Sequence, residues 1–190
     1  SGEGRVFSKD IFQTKTSSLV ENVGYIFQNP DHQLFTQSVW EELTFTSINL
    51  GIITHKLEAD ARQLLSLLDL TYRKDDHPQR LSYGEKRRLN LAASMLHKPK
   101  LLLVDELLIG QDNENAQIWM TLLHNYTKYG NSVILVNHHA KLTRKYCDRI
   151  VFMDQGTILI DHSISKAFEQ IAQLGYGAFM PLGEQVEAYA

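Results

Sequence analysis

The residues best suited to chemistry stand at the end of an apolar run. Leu101, Leu102, Leu103 and Val104 are followed at once by Asp105 and Glu106. A buried strand ending in two carboxylates carries both to the carboxyl edge of a sheet, where α/β folds bind ligands. Neighbouring strand residues point to opposite sides, so the two acids can do different work. One can hold a hard cation such as Mg²⁺ through water, and the other can orient an attacking water as a base. Alone, the pair reads equally well as a strand end facing solvent. Ser82, Tyr83, Gly84 and Glu85 lie just upstream. Ser82 and Glu85 have the spacing of a capping box at a helix start. Such a start offers free N–H groups and partial positive charge to a phosphate, and Gly84 lets a ligand approach the backbone. By itself this is an ordinary cap. Gln28 and His138 each follow another apolar run, and the four features together are harder to explain as isolated polar ends.

The elements that must position these residues can be read from periodicity. Residues 23–27 are expected to form a short buried strand, closed by the turn-rich 28–31. Helices are expected over 38–50 and 57–70, the second with Leu57, Ala61, Leu64, Leu65 and Leu68 along one face. A third runs from the capping box to about His97 and must stop before Pro99. Residues 101–104 and 132–136 read as strands buried on both faces of a parallel sheet. Between them, 113–129 reads as a helix closed by Gly130. A short helix over 141–146 leads to a hairpin of 150–153 and 157–160, turned by 154–156. Terminal helices are expected over 164–174 and 183–190. This order predicts an α/β fold with a mostly parallel sheet core, in which an α-helical block, approximately residues 36–98, is inserted as a subdomain.

Composition limits the partners. A chain of 190 residues with 43% hydrophobic and 22% charged content suits one globular domain rather than a disordered segment. A net charge of −3 gives no reason to expect nucleic acid or an anionic membrane surface. The single cysteine, Cys147, excludes an internal disulfide framework and fits a reducing compartment. No apolar run reaches the roughly 18 to 20 residues needed to cross a bilayer, so any membrane role is expected to come through a partner. The eight histidines are scattered or, at His138 and His139, adjacent and divergent, which argues against a structural metal site. The chain opens on Ser1, Gly2, Glu3 and Gly4 without a starter methionine, and is read as beginning inside its fold or as carrying added residues at its start.

Taken in order, the motifs resemble those of the ATP-binding-cassette (ABC) ATPases. Residues 25–30 look like the Q-loop, 81–88 like the signature sequence, and 101–106 like the Walker B strand with its catalytic glutamate. Residues 110–112 are similar to the D-loop and 136–138 to the switch-histidine loop. The likeness covers nearly the whole chain and implies a partial P-loop NTPase fold over 1–190 with ATP and Mg²⁺ as cofactors. It implies that Gln28 contacts Mg²⁺ or the attacking water and that Asp105 holds Mg²⁺ through water. Glu106 would polarise that water, and His138 would contact the γ-phosphate. Ser82 and Gly84, with Tyr83 and Glu85 in the same motif, would grip an ATP held by an opposite cassette. Asp112 would help to join the two cassettes. The expected partners are that second cassette (in a homodimer, a heterodimer or a tandem fusion) and a transmembrane transporter subunit. The chain itself would lie peripherally on the cytoplasmic face, without direct membrane insertion or nucleic acid.

Departures from the family pattern are Tyr83 for Gly, Leu107 and Leu108 for Pro-Thr, Asn137 for Thr or Ser, and His139 for an acid. None of the 11 glycines is followed by Lys-Ser or Lys-Thr, so the phosphate-cradling G-x-x-x-x-G-K-[ST] is absent from this sequence. The family's order places that motif upstream of Ser1, and the chain alone is therefore expected to bind Mg-ATP weakly and hydrolyse it negligibly. Residues 28–35 resemble the Q-loop and following helix of energy-coupling-factor cassettes, which take up vitamins and transition-metal ions. Gly110, Gln111 and Asp112, with Lys86, Arg87 and Arg88, resemble the cobalt-type and thiamin-precursor-type members. Phe35 and Trp40 are expected on a docking surface for the membrane subunit, Trp40 reading equally as core. Three other classes compete. A DNA-repair ATPase would carry a long coiled coil between Gln28 and Ser82, and no sustained heptads occur there. A translation-type cassette would show a basic arm. A regulatory cassette without hydrolysis would not need Glu106.

Overall fold

The computed structural model describes residues 3–181; the helix expected over 183–190 lies outside them. The chain divides into two compact units. One runs through Leu107 and takes in Gly130–Leu135, and the other comprises Leu108–Tyr129 and the residues from Val136 on.

In the first unit, β1 (Arg5–Val6) and β2 (Lys9–Asp10) form an antiparallel pair. Its turn residues Phe7 and Ser8 have φ of 49° and 64°. Phe-Ser carries none of the Asn-Gly chemistry that advertises such a turn, so sequence pattern gives no warning of it. The central sheet has the order β3 (Val23–Ile26), β4 (Leu101–Asp105) and β5 (Ser132–Val136). Strands β3 and β4 run parallel, with Gly24 opposite Leu102 and Ile26 opposite Val104.

Three helices accompany this sheet. Ser38 caps α1 (Val39–Asn49) by accepting from the Glu41 amide at 3.1 Å. Thr54 caps α2 (His55–Leu67) in the same way from Leu57. That helix starts two residues before the expected point and ends three before it, because Asp69 turns into the left-handed region at φ 51°. Its inner face is nonetheless the expected one, with Ala61, Leu65 and Leu68 buried. The third, α3 (Tyr83–Leu96), carries the complete capping box and packs on both other helices and on β3.

Two-sided burial of the strands is corrected. Leu102 and Val104 are buried, but Tyr25 on β3 is 40% exposed and Ile134 and Val136 on β5 are 58% and 51% exposed. An apolar run reports that a strand is hydrophobic, not how many of its faces are covered. The face toward α3 is the covered one. Trp40 is half-buried between two cations, Arg62 at 5.4 Å and Lys74 at 4.7 Å from its ring, and so is not a simple core residue. Phe35 is 63% exposed and meets the Phe45 ring edge-on at 4.8 Å.

In the second unit, Asp112 caps α4 (Asn113–Thr127), which buries Trp119, Met120 and Leu123. It ends two residues short of the expected end. A short helix, α5 (Ala140–Tyr146), precedes an antiparallel hairpin of β6 (Arg149–Asp154) and β7 (Thr157–Ser163). Gln155 and Gly156 both have positive φ, the pairing that a two-residue hairpin turn requires. The hairpin and α6 (Ile164–Gln173) enclose a small core of Ile160, Ala167, Phe168, Ile171 and Met180. Among the described residues, no helix is long and apolar enough to cross a membrane.

Candidate functional site

The sheet's carboxyl edge in the first unit brings three of the predicted residues together. Asp105 is the last residue of β4 and Glu106 the next. Gln28, two residues beyond β3, donates from Nε2 to Oε2 of Glu106. The parallel pairing of β3 with β4 puts both strand ends at the same level, which is why a residue 78 positions away arrives there. Glu106 has φ of +47°, a left-handed conformation that costs a non-glycine residue about 1 kcal/mol or more. Such strain persists only where surrounding contacts impose it. Asp105 and Gln28, at neighbouring strand ends, are oxygen donors of the kind Mg²⁺ takes.

The signature segment forms the second part of the site. Ser82 N donates to Glu85 Oε2 at 2.7 Å, and Glu85 N donates to Ser82 Oγ at 3.3 Å. This closed box leaves the amides of Tyr83 and Gly84 as the free donors of the helix start. A Cβ built on Gly84 meets nothing nearer than Arg88 Nη1 at 3.8 Å. Packing within the unit therefore does not require glycine there, whereas a phosphate approaching the backbone would. The helix start fits an anion by its own geometry.

Glu85 is itself clamped from outside the helix. Its Oε1 accepts from the Tyr72 hydroxyl at 2.9 Å and from Arg73 Nε at 3.0 Å. Burial pushes its pKa up, but the hydrogen bonds from Ser82, Tyr72 and Arg73 outweigh this and bring it down to about 2. The sign follows from linkage. The folded value lies below the unfolded one near 4.5, so this contribution is complete above pH 4.5 and is lost as pH falls toward 2. Urea unfolding at pH 6 and pH 3 should therefore show a larger acid loss for the wild type than for Glu85→Gln. Parallel pH dependence in the two proteins would remove Glu85 from this role.

What sequence reasoning missed is a polar stripe on α3. Tyr83, Lys86, Arg87, Asn90 and Ser94 recur at helical spacing, and all of them face the segment around Gln28. Lys86 Nζ pairs with Asp31 at 2.6 Å, Asn90 Nδ2 donates to Pro30 O at 3.1 Å, and Ser94 Oγ donates to Tyr25 O at 3.1 Å. Arg87 Nη2 donates to Gln28 O at 2.9 Å, while its Nη1 donates to Glu106 O and Leu107 O, both at 2.6 Å. Arg87, Asn90 and Ser94 are buried. Their spacing was visible, but an amphipathic reading assigns polar residues to solvent. Glu42 was missed as well. Its buried carboxylate accepts from the amides of Phe35 and Thr36 at 2.9 and 3.0 Å, fixing the loop beyond Gln28.

The remaining predicted residues lie in the second unit. Asp112 spends its carboxylate on Asn115, accepting from its backbone N at 2.8 Å and from Nδ2 at 2.9 Å. Those two bonds, the backbone one first, lower its pKa. His138 is exposed on the loop after β5. Asn137 orders that loop, accepting from His139 N at 2.8 Å and donating to Thr143 Oγ1 at 2.9 Å.

A family model described as "ABC transporter" matches residues 1–108. A putative ABC transporter ATP-binding protein of Methanosarcina acetivorans is 35% identical over 181 residues, covering 95% of this chain and 30% of that protein. The energy-coupling factor transporter ATP-binding protein EcfA2 of Clostridium perfringens is 31% identical over 85% of this chain and 58% of its own length. The chain thus spans between about a third and somewhat over half of these relatives. Among solved structures, CbiO1 of Clostridium perfringens, described as part of the ABC transporter complex CbiONQ, superposes with a TM-score of 0.70. It is 25% identical and covers 88% of this chain and 69% of its own.

Proposed function

The chain belongs to the ABC transporter family, and from that premise we propose that it is part of the ATP-hydrolysing subunit of an importer. The observation that carries this reading is the meeting of Gln28 and Glu106 at the strand ends, beside a helix start with free amides. Phosphoryl transfer to water needs positioning and charge stabilisation more than covalent chemistry. Glu106 is the base that orients the attacking water, and Gln28 holds that carboxylate in place. Asp105 would hold Mg²⁺ through water and Gln28 would contact it or the attacking water, the cation supplying neutralisation of phosphate charge when bound. His138 contacts the γ-phosphate, and Asp112 contributes at the boundary with a second cassette.

Ser82, Tyr83, Gly84 and Glu85 present the signature helix to an ATP carried by that second cassette. We place the subunit peripherally on the cytoplasmic face, bound to a transmembrane partner, with residues 36–98 as the helical subdomain of the cassette fold. The likeness of 28–35 to energy-coupling-factor cassettes, together with the relative named EcfA2, supports a vitamin, a vitamin precursor or a transition-metal ion as the cargo.

The signature role is tested in trans. This chain, mixed with a hydrolysis-dead partner cassette that has an intact P-loop, should form a heterodimer by light scattering only when ATP is present. Ser82→Arg should prevent it by filling the phosphate's place. A mixture that stays monomeric with saturating ATP, or a Ser82→Arg variant that dimerises like the wild type, refutes the assignment.

A further inference from the structure

We infer that Arg87 is a positioning residue for hydrolysis, with Tyr83 as its clasp: together they fix the backbone on which Gln28 and Glu106 stand. The inference rests on the hydrolytic reading above and goes beyond it by assigning a role to Arg87, which that reading leaves out, and a second role to Tyr83.

Arg87 is 2% exposed. A buried guanidinium costs desolvation unless its donors are met, and an apolar side chain would fill the same volume without that cost. Its Nε meets no acceptor among the described residues, and it is the acceptors of the two terminal nitrogens that explain why arginine stands here. Nη1 meets two successive carbonyls, those of Glu106 and Leu107, each at 2.6 Å. The chain turns at Glu106, at φ +47°, where these carbonyls converge on one nitrogen. Nη2 meets the Gln28 carbonyl and the Tyr83 hydroxyl, each at 2.9 Å. One planar group therefore ties the loop after β4 to the loop after β3, at the two residues whose side chains meet each other.

Tyr83 completes the arrangement. The Arg87 guanidinium lies 5.0 Å from the centre of its ring, and the Tyr83 hydroxyl also donates to Gln28 O at 3.4 Å. Tyr83 is the first residue of α3 and Arg87 is one turn on, so the clasp belongs to the helix start that faces phosphate. Tyrosine stands here where glycine is usual in the signature, and in this chain it reaches back to the loop carrying Gln28. The helix start and the base thereby share one rigid support. Lysine carries the charge but lacks the planar fork that spans three carbonyls and a phenol.

The test has two arms. In the intact transporter complex, ATP turnover is measured for wild type, Arg87→Met, Arg87→Lys, Tyr83→Phe and Glu106→Gln. In this chain alone, carbonyl ¹³C resonances are compared for the same Arg87 and Tyr83 variants. Arg87→Met should lower kcat at least tenfold with KM for ATP within twofold. Arg87→Lys should recover part of that loss, and Tyr83→Phe should lower kcat two- to threefold. The carbonyl resonances of Gln28, Glu106 and Leu107 should move in Arg87→Met by more than any in α2, and in Tyr83→Phe chiefly that of Gln28. Should Arg87→Met fail to fold, Arg87→Lys and Tyr83→Phe decide by the same readouts. If kcat stays within twofold in the Arg87 variants while Glu106→Gln abolishes turnover, the positioning role is overturned. If Glu106→Gln leaves turnover intact, the hydrolytic reading falls instead, and the carbonyl shifts still report whether the clasp exists.

Discussion

Replacing Glu106 by glutamine in the intact transporter should lower ATP turnover by about 10²- to 10³-fold while leaving ATP affinity within about twofold, the range expected for loss of a positioned general base. The substitution preserves length and shape, and Gln28 Nε2 can still donate to the new amide oxygen, so the side chain remains where Gln28 holds it. What disappears is the negative charge and the ability to accept a proton from the attacking water. Because ATP then binds without being consumed, the ATP-bound pair of cassettes should accumulate. Glu106→Gly separates chemistry from backbone. It also removes the base, but it relieves the left-handed conformation at φ +47°, so its stability should equal or exceed that of the wild type. Phosphate release in single turnover, calorimetric ATP binding and thermal melting of the three proteins check this. Wild-type turnover in Glu106→Gln would end the assignment of Glu106 as the base.

The sequence carried the site further than it carried the fold's surfaces. The capping box of Ser82 and Glu85 and the positions of Gln28 and Asp105 at strand ends follow from local pattern, and each appears in the structure. The meeting of Gln28 with Glu106 depends on β3 lying beside β4, which local pattern did not supply. What pattern could not supply was burial, which depends on distant elements. Tyr25, Ile134 and Val136 sit in apolar runs yet are exposed, while Arg87, Asn90 and Ser94 are polar yet buried. Their burial is set by the carbonyls of the Gln28 segment, some 60 residues away in the chain. A polar stripe at helical spacing is the one local sign of such a seam, and it becomes informative only when a partner loop rich in free carbonyls is also in view. Asp112 shows the converse ambiguity, since the same carboxylate that resembles a D-loop residue caps α4.

The seam also predicts the most sensitive position in the sheet. Gly24→Ala should destabilise the first unit by about 3 kcal/mol, the upper range for overpacking a filled interior. A Cβ at Gly24 would lie 2.7 Å from Leu102 Cδ2, 2.8 Å from Ser94 O and 3.0 Å from Pro99 Cγ. The leucine methyl can rotate away at modest cost, but Ser94 O is backbone in the buried last turn of α3 and cannot. Either β3 or α3 must retreat. Retreat of β3 would pull on the bond from Ser94 Oγ to Tyr25 O and draw Gln28, two residues past the strand, away from Glu106. Stability and turnover should therefore fall together, unlike in Glu106→Gln, where turnover alone falls. Urea unfolding of this chain measures the first effect, and ATP turnover of the intact transporter at a temperature where the variant stays folded measures the second. A Gly24→Ala variant with wild-type unfolding would mean that β3 does not lie this close to α3, and the registry that brings Gln28 to Glu106 would lose its physical basis.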